Sequence, residues 1–239
     1  FVRLNTKFLQ GGTPVDPYNP LNLPPNTVRV RTINGKPPDK GYTATFETAT
    51  LVPGTTDVYD IYKSGTNFDH LLYDTNVSEV LGANTTNITR MTNMLQDCEH
   101  LTSVALFDTS NVTNMATMFA GCSNLTSVPL FDTSNVTSAR SMFSNCTSLV
   151  TVPLFVTSNV TDTVWMFNNC ISLISVPLFD TSKVTNMSEM FNNCTSLVTV
   201  PLFDTSSVTN MRSMFDGCSS LTSIPLFNTT RATNLNWMF

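Results

Sequence analysis

The chain has 239 residues and a formal net charge of −5, and only 12% of its residues are charged, about half of the roughly 25% that is usual in soluble domains. Its surface must therefore be polar through Ser, Thr and Asn, and the lack of a basic stripe argues against nucleic acid and anionic membranes as partners. No apolar run approaches the roughly 20 residues of a membrane-spanning helix. We expect no nucleic-acid partner and no membrane insertion.

The first part of the chain is predicted to close one end of a repeat array. Residues 1–23, which contain two adjacent glycines and three prolines, are typical of a linker or of an arm held by a partner. Residues 24–56 include the alternating segment Thr27-Val-Arg-Val-Arg-Thr, which predicts a small β element. Residues 57–82 keep a faint trace of the period that follows, and we interpret them as a degenerate capping repeat.

From residue 83 to residue 239 the sequence repeats every 24 residues without an insertion or deletion. Such periods are typical of stacked arrays, in which a unit buries its apolar face only against its neighbours. Leu, Met and Phe recur at this step, and so does cysteine. The cysteines are Cys98, Cys122, Cys146, Cys170, Cys194 and Cys218.

One unit is predicted to contain a strand, a turn, a short helix and a second turn. The segment Leu149-x-x-Val152-x-Leu154 is an apolar run of strand type, and the stretch Asp132-Thr-Ser-Asn135 at the start of the same unit is typical of turns. Thr137 is expected to cap a helix, whose apolar face in a later unit includes Met187, Met190 and Phe191. A residue that tolerates the left-handed conformation is expected to end the helix. It is Gly121, Asn145, Asn169, Asn193 or Gly217 in successive units.

The predicted fold class is thus an α/β repeat: a leucine-rich-repeat solenoid with one short parallel strand and one short helix per 24-residue unit, behind a small N-terminal β capping element. The pattern Asp-Thr-Ser-x-Val-Thr-Asn-Met-x-x-Met-Phe-x-x-Cys-x-x-Leu-x-x-Val-Pro-Leu-Phe resembles the BspA-like leucine-rich repeats, and residues 179–202 match it in full. The resemblance covers about two-thirds of the chain. It implies bacterial surface proteins, and related proteins of gut bacteriophages, that bind host or microbial targets without catalysis. Val156, Val164 and Trp165 depart from the pattern.

An even number of cysteines in an exported protein usually indicates disulfides. Here every cysteine has the same place in its unit, so the six should form an inward-facing ladder whose uniform geometry does not supply a disulfide dihedral. We therefore predict a structural core ladder of free thiols. Zinc is not expected, because the chain has no Cys-x-x-Cys pair and its only histidines are His70 and His100.

Three columns are candidate ligand contacts. An outward stripe of hydroxyl side chains would be either a solvated β face or a surface that hydrogen-bonds glycans or protein backbone; it comprises Ser103, Ser127, Thr151, Ser175, Thr199 and Ser223. A Phe column would either fill the core or form an apolar platform for sugar rings or partner side chains; it comprises Phe107, Phe131, Phe155, Phe179 and Phe203. An Asp column would either bind calcium or serve turns; it comprises Asp108, Asp132, Asp180 and Asp204.

The sequence has no Ser-His-Asp set, no phosphate-binding glycine loop and no nucleotide fingerprint. We expect neither an enzyme nor a cofactor. The favoured function is an extracellular binding or adhesion module, on a bacterial cell surface or a phage virion, that recognises a surface protein or glycan of a host or microbe through the solenoid face. The alternative is a structural virion or surface-layer component packed against neighbouring subunits. The last unit stops at Phe239, so either further chain or another subunit is expected to cover that edge.

Overall fold

The computed structural model describes residues 21–33, 35–38 and 44–239, together with the backbone of β1 (Phe8–Gln10) and β2 (Thr13–Val15). These two strands pair antiparallel. The rest of the arm predicted over residues 1–23 lies outside the described residues, apart from its last three. Across the described ranges every regular element is a strand, and none is an α-helix. Accordingly, that part of the chain has no helix long and apolar enough to cross a membrane.

Five strands form one mixed sheet, in the order β4-β5-β3-β6-β7. The pairs are antiparallel except for β6 with β7, which is parallel. The sheet takes strands from the predicted β element, from the predicted capping repeat and from the first full unit, so these three regions share one sheet. The strands are β3 (Thr27–Thr32), β4 (Thr48–Leu51), β5 (Val58–Tyr62), β6 (Val77–Asn84) and β7 (Ser103–Val104).

Strand β3 shows how the alternation in the sequence sets this sheet. Val28 and Val30 are buried on one side. Arg29 points to the other side, where its Nε and Nη2 donate to Asp60 Oδ1 and Oδ2 at 2.6 and 2.8 Å. Asp60 is also the residue paired with Arg29 across β3 and β5. The two-pronged ion pair therefore reinforces the strand register.

After the sheet, each unit stacks on the next with its equivalent residues in contact. The 24-residue step of the sequence is the stacking step, except that the first step is 23 residues. Parallel backbone bridges join Asn67 to Arg90, Arg90 to Asn114, Asn114 to Ser138, Ser138 to Asp162, Asp162 to Asn186, Asn186 to Asn210, and Asn210 to Asn234.

The predicted helix in each unit is wrong, and with it the predicted leucine-rich-repeat architecture of one strand and one helix per unit. Successive amides alternate between two kinds of acceptor. Ala120 N donates within its unit to Thr117 O at 3.2 Å, whereas the neighbouring Phe119 N donates to Met142 O of the next unit at 3.0 Å. An α-helix requires all of these donors for its own carbonyls. Bonding between units therefore replaces the helix with a series of turns.

Two residues per unit are left-handed in these turns, as at Thr117 with φ 56° and Gly121 with φ 77°. The second position is the one that the sequence predicts to be left-handed, although no helix ends there. Thr137, the predicted helix cap, instead donates its amide and its hydroxyl to Thr113 O of the preceding unit, at 2.9 and 3.2 Å. The later left-handed residues are Ser141, Asn145, Trp165, Asn169, Glu189, Asn193, Ser213, Gly217 and Trp237.

Proline accounts for the loss of the predicted strand from the later units. In the first full unit, Ala105 N donates to Val80 O at 2.8 Å and completes the pairing of β6 with β7. The equivalent residue of the next unit is Pro129, which has no N–H to donate. Val150 N still donates to Thr126 O at 3.1 Å. The same bond joins Ile174 N to Val150 O and Val198 N to Ile174 O, at 3.2 and 3.0 Å, without making a strand ladder.

The core is a double column of phenylalanine rings that runs along the stack. Phe143 stacks on Phe167 with 5.6 Å between ring centroids, and on Phe155 of the other column at 6.2 Å. Beside the rings lies a column of buried threonines whose hydroxyls donate to a carbonyl of the next unit, as from Thr133 to Val156 O at 2.8 Å. The polar atoms inside the stack are thus used to join units. The same bond is made by Thr85, Thr109, Thr157, Thr181 and Thr205.

Gly121→Ala is expected to destabilise the protein more than Gly54→Ala. Both glycines have positive φ, which costs an alanine about 1–2 kcal/mol. A Cβ on Gly121 would also overlap Asp97 Oδ1 and lie 3.1 Å from Asp97 Cα, whereas a Cβ on Gly54 meets nothing within 4 Å. Urea unfolding should show a loss of about 1 kcal/mol for Gly54→Ala and about 2 kcal/mol or more for Gly121→Ala. Equal losses would contradict close packing between units at this position.

Candidate functional site

The Pro-Leu-Phe sequence of a unit turns one leucine outward. Phe131 N donates to Pro129 O at 3.0 Å, which closes a three-residue turn with Leu130 at its centre. Phe131 is 1% exposed in the core, whereas Leu130 is 57% exposed. The same bond recurs after Pro153, Pro201 and Pro225. The exposed leucines, which we call the leucine row, are Leu106, Leu130, Leu154, Leu178, Leu202 and Leu226.

The phenylalanine column is not a ligand platform. Its rings lie in the core against other phenylalanine rings, as Phe179 does on Phe203 at 6.4 Å and Phe155 on Phe143 at 6.2 Å. The interpretation of these residues as exposed ligand contacts is therefore wrong, and their alternative placement in the core holds. No more than 3% of the surface is exposed at Phe107, Phe131, Phe155, Phe179 and Phe203.

A row of carboxylates accompanies the leucine row. Asp132 Oδ1 accepts hydrogen bonds from Ser134 N at 2.9 Å and from Ser134 Oγ at 2.6 Å, so the side chain closes the turn. Bonds of this kind from Ser182 and Ser206 lower the pKa of Asp180 and of Asp204 from its ordinary value. Asp180 and Asp204 are therefore charged at neutral pH. We call Asp108, Asp132, Asp180 and Asp204 the aspartate row.

The aspartate row closes turns, which is the alternative to calcium binding that the sequence left open. Each of its members accepts the amide two residues ahead through Oδ1. Among the described residues, no group of three or more His, Cys, Asp or Glu side chains is placed to hold a metal ion.

The two rows line two recesses on the stack, which we call together the groove. One recess, of about 480 Å³, is bounded by Leu106, Leu130 and Leu154 together with Asp108 and Asp132. Val156, at the place where an aspartate would continue the row, is 49% exposed and also lines this part. A second part of about 300 Å³ is lined by Leu178 and Leu202 with Asp180 and Asp204. The lining of the groove therefore combines exposed leucines with carboxylates, and Val156 interrupts the carboxylates with an apolar side chain.

The predicted hydroxyl stripe is at the surface in all six units, at Ser103, Ser127, Thr151, Ser175, Thr199 and Ser223. Each of the middle units adds an exposed apolar neighbour to it, namely Val150, Ile174 or Val198. None of the stripe residues lines either part of the groove. The stripe is thus a second candidate surface, separable from the first by mutation.

Two unusual residues, Val164 and Trp165, lie on the turn segment of the unit of residues 155–178. Trp165, which is 39% exposed, packs under Arg140, whose Cζ lies 4.8 Å from the ring centroid. Arg140 Nη1 also lies 3.9 Å from Asp162 Oδ2. Val164, by contrast, is buried and continues the core. The sequence departures of this unit thus alter its surface at Val156 and Trp165 without breaking the stack.

The six cysteines are free thiols, and five of them are fully buried while Cys218 is partly exposed. Each thiol donates to a carbonyl of the preceding unit, as from Cys146 Sγ to Phe119 O at 3.0 Å. Burial raises the pKa of every one of them, to about 11 for Cys98 and for Cys218. The thiols are therefore neutral at physiological pH, and their role is to join units. The equivalent bonds come from Cys98, Cys122, Cys170, Cys194 and Cys218.

One protein family matches the stacked part of the chain. The family described as "Mycoplasma protein of unknown function, DUF285" matches residues 66–176 and again residues 165–239. The matches begin where the stacking begins, since Asn67 forms the first bridge to the next unit. Together they span well over half of the sequence, and the chain belongs to the DUF285 family. No curated protein matches it.

Raising the pH is expected to destabilise the stack through its thiols. Their folded pKa lies above the unfolded value of about 8.5, so the stability they contribute is complete below that pH and is lost as the pH rises through the folded pKa. The free energy of unfolding, measured in urea from pH 8 to pH 11, should fall by about 1.4 kcal/mol per pH unit for each buried thiol above about pH 9.

Cys146→Ala supplies the control for this prediction. The variant will be less stable at every pH, because it loses the bond to Phe119 O and some packing. Its stability should nevertheless decline less steeply above pH 9 than that of the unchanged protein. The same slope in both proteins would show that other groups cause the alkaline loss.

Proposed function

We propose that this DUF285 chain is a non-catalytic binding module, displayed outside the cell on a bacterial surface or on a phage particle, that attaches to a surface protein of a host or microbe through the leucine row. The resemblance of its 24-residue pattern to BspA-like repeats of surface proteins supports the setting. The observation that carries the proposal is the exposure of consecutive leucines, 57–59% at Leu130, Leu154, Leu178 and Leu202.

Exposed leucines are common singly, but a continuous row is typical of an interaction surface. Each square ångström of apolar surface that a partner covers contributes about 25 cal/mol. The leucines do not serve the core, because the phenylalanine that follows each of them fills it. In four of the six units the leucine lies at the centre of the hydrogen-bonded three-residue turn, as Leu130 does between Pro129 and Phe131. The row therefore adds apolar surface that the fold itself does not need.

A protein partner suits this groove better than a glycan does. Sugar rings stack on exposed aromatic faces, and the aromatic rings beside the leucine row are buried. Leucine side chains next to carboxylates resemble the apolar centre and polar rim of a protein interface. The hydroxyl stripe is the surface that a glycan would use. Variants of the stripe therefore serve as the control for variants of the leucine row.

The test compares two triple variants from the same units. One changes Leu130, Leu154 and Leu178 to Ser, and the other changes Ser127, Thr151 and Ser175 to Ala. Both sets are exposed, so both variants should melt near the temperature of the unchanged protein. Labelled protein is applied to bacterial cells, to host epithelial cells and to a glycan array. The leucine variant should bind cells at least about tenfold more weakly, since buried contacts at an interface centre contribute about 1 kcal/mol or more each.

The hydroxyl variant should bind cells as the unchanged protein does. Full cell binding by the leucine variant would exclude the leucine row as the contact. Binding to the glycan array that only the hydroxyl variant loses would assign recognition to the stripe. If the unchanged protein bound no cell and no glycan but copurified with particles at fixed stoichiometry, a structural role would replace the proposal.

A further inference from the structure

We infer that the partner presents to the groove a cationic and apolar polypeptide segment, in which lysine or arginine side chains lie on both sides of an apolar centre that packs on Val156. This inference rests on the proposed function and specifies the partner's chemistry. Three features of the groove support it: unneutralised carboxylates, unused carboxylate oxygens and an apolar gap between two acidic pairs.

The part of the chain that the structure describes supplies the aspartate row with no ion-pair partner. Other carboxylates of the stack are close to arginines, as Asp162 is to Arg140 and Glu189 to Arg212. Among the described residues, no lysine or arginine forms an ion pair with the aspartate row. Lys183 is near enough to Asp180 to favour its charged form, but its ammonium group donates to Asn159 Oδ1 at 2.8 Å. The groove therefore attracts cations and repels anions.

The unused atoms of the row point to the same partner. In each of these aspartates the turn engages Oδ1, and within the described chain Oδ2 has no hydrogen-bond partner. A carboxylate oxygen that is free to accept can take a charge-assisted bond from an ammonium or guanidinium group. Such bonds orient a partner as well as attract it.

Val156 divides the aspartate row into two pairs. Asp108 and Asp132 precede it in the sequence, and Asp180 and Asp204 follow it. Units in such a stack are about 4.8 Å apart, so Asp132 and Asp180, two units apart, are separated by roughly 10 Å. Between them the groove is lined by Leu154 and Val156. The fitting segment thus has one or two apolar side chains in the middle and cationic side chains on either side.

A second copy of this chain does not fit. Its groove would bring the same carboxylates against the first, and the chain as a whole has a net charge of −5. Like charges placed together at an interface suppress association. Two copies therefore do not pair groove against groove.

The experiment uses the full chain and three synthetic peptides of equal length. The first has two central leucines between two pairs of lysines, the second has glutamates in place of the lysines, and the third has serines in place of the leucines. Fluorescence anisotropy should show the first peptide binding at least about tenfold more tightly than either of the others, with the affinity falling as salt is added.

Two double variants then distinguish an effect of the aspartate row from an effect of the protein's net charge. Asp132→Asn with Asp180→Asn removes one carboxylate on each side of Val156. The turn survives, because Asn228 already accepts Thr230 N in the same way at 3.0 Å. This variant should lose about tenfold in affinity for the lysine peptide. Glu99→Gln with Asp216→Asn, outside the row but equal in charge change, should lose little.

Equal binding of the lysine and glutamate peptides, or equal losses in the two double variants, would overturn the inference. A different outcome would contradict the proposed function. If the leucine variant loses cell binding while the lysine peptide neither binds nor competes, the leucine row is still the contact and only the partner chemistry is wrong. If the leucine variant keeps its cell binding, the proposed function is wrong regardless of which peptides bind.

Discussion

The stack depends on one pattern of backbone hydrogen bonds, in which every second amide of the turn segment donates to the unit that follows. Within residues 115–122, the amides of Met115, Thr117, Phe119 and Gly121 all donate in this way. The alternate amides close turns inside the unit. This pattern excludes a helix, since a helix would use every amide for itself. It also explains why an insertion in any unit would break the register with both neighbours.

Because the units stack in register, equivalent residues form a row along the stack. An inward-facing side chain therefore lies beside the equivalent side chains of the neighbouring units, and its polar atoms must find hydrogen-bond partners between units. Thr133 does so through the carbonyl of residue 156, and Cys146 through the carbonyl of Phe119. The side chains that point outward do not need hydrogen-bond partners in the neighbouring unit. The leucine row and the aspartate row follow from one turn sequence repeated along the chain.

The sequence was sufficient for features that depend on residue type. The period, the inward cysteines and the left-handed conformation at Gly121 and Asn145 could all be predicted from it. The helix was wrongly predicted because Thr117 and Glu189 are also left-handed, and neither residue type indicates that conformation. Only the bonds between units impose it, and those bonds are tertiary. Met and Phe spaced as in an amphipathic helix pack inward in the turns as well.

The candidate surface was missed for a different reason. Leu154 was included in an apolar strand, although Pro153 before it, which has no N–H to donate, signalled a break in that strand. The hydroxyl stripe was easier to predict, since polar residues at one strand position face solvent. Predicting the groove requires the backbone geometry of the three-residue turn, because that turn directs the leucine outward beside the aspartate.

Val156 shows how such a stack can change its surface without loss of its fold. The unit before it needs only the backbone carbonyl of residue 156, to which Thr133 donates. The side chain at that position closes a turn when it is Asp or Asn, but the stack continues when it is Val. Trp165 stands at another outward position whose backbone, and not its side chain, bonds to the next unit, through Ser188 O. Differences in binding between units are therefore expected at positions of this kind, where the main chain holds the stack and part of the side chain is exposed to a partner, as 49% is at Val156 and 39% at Trp165.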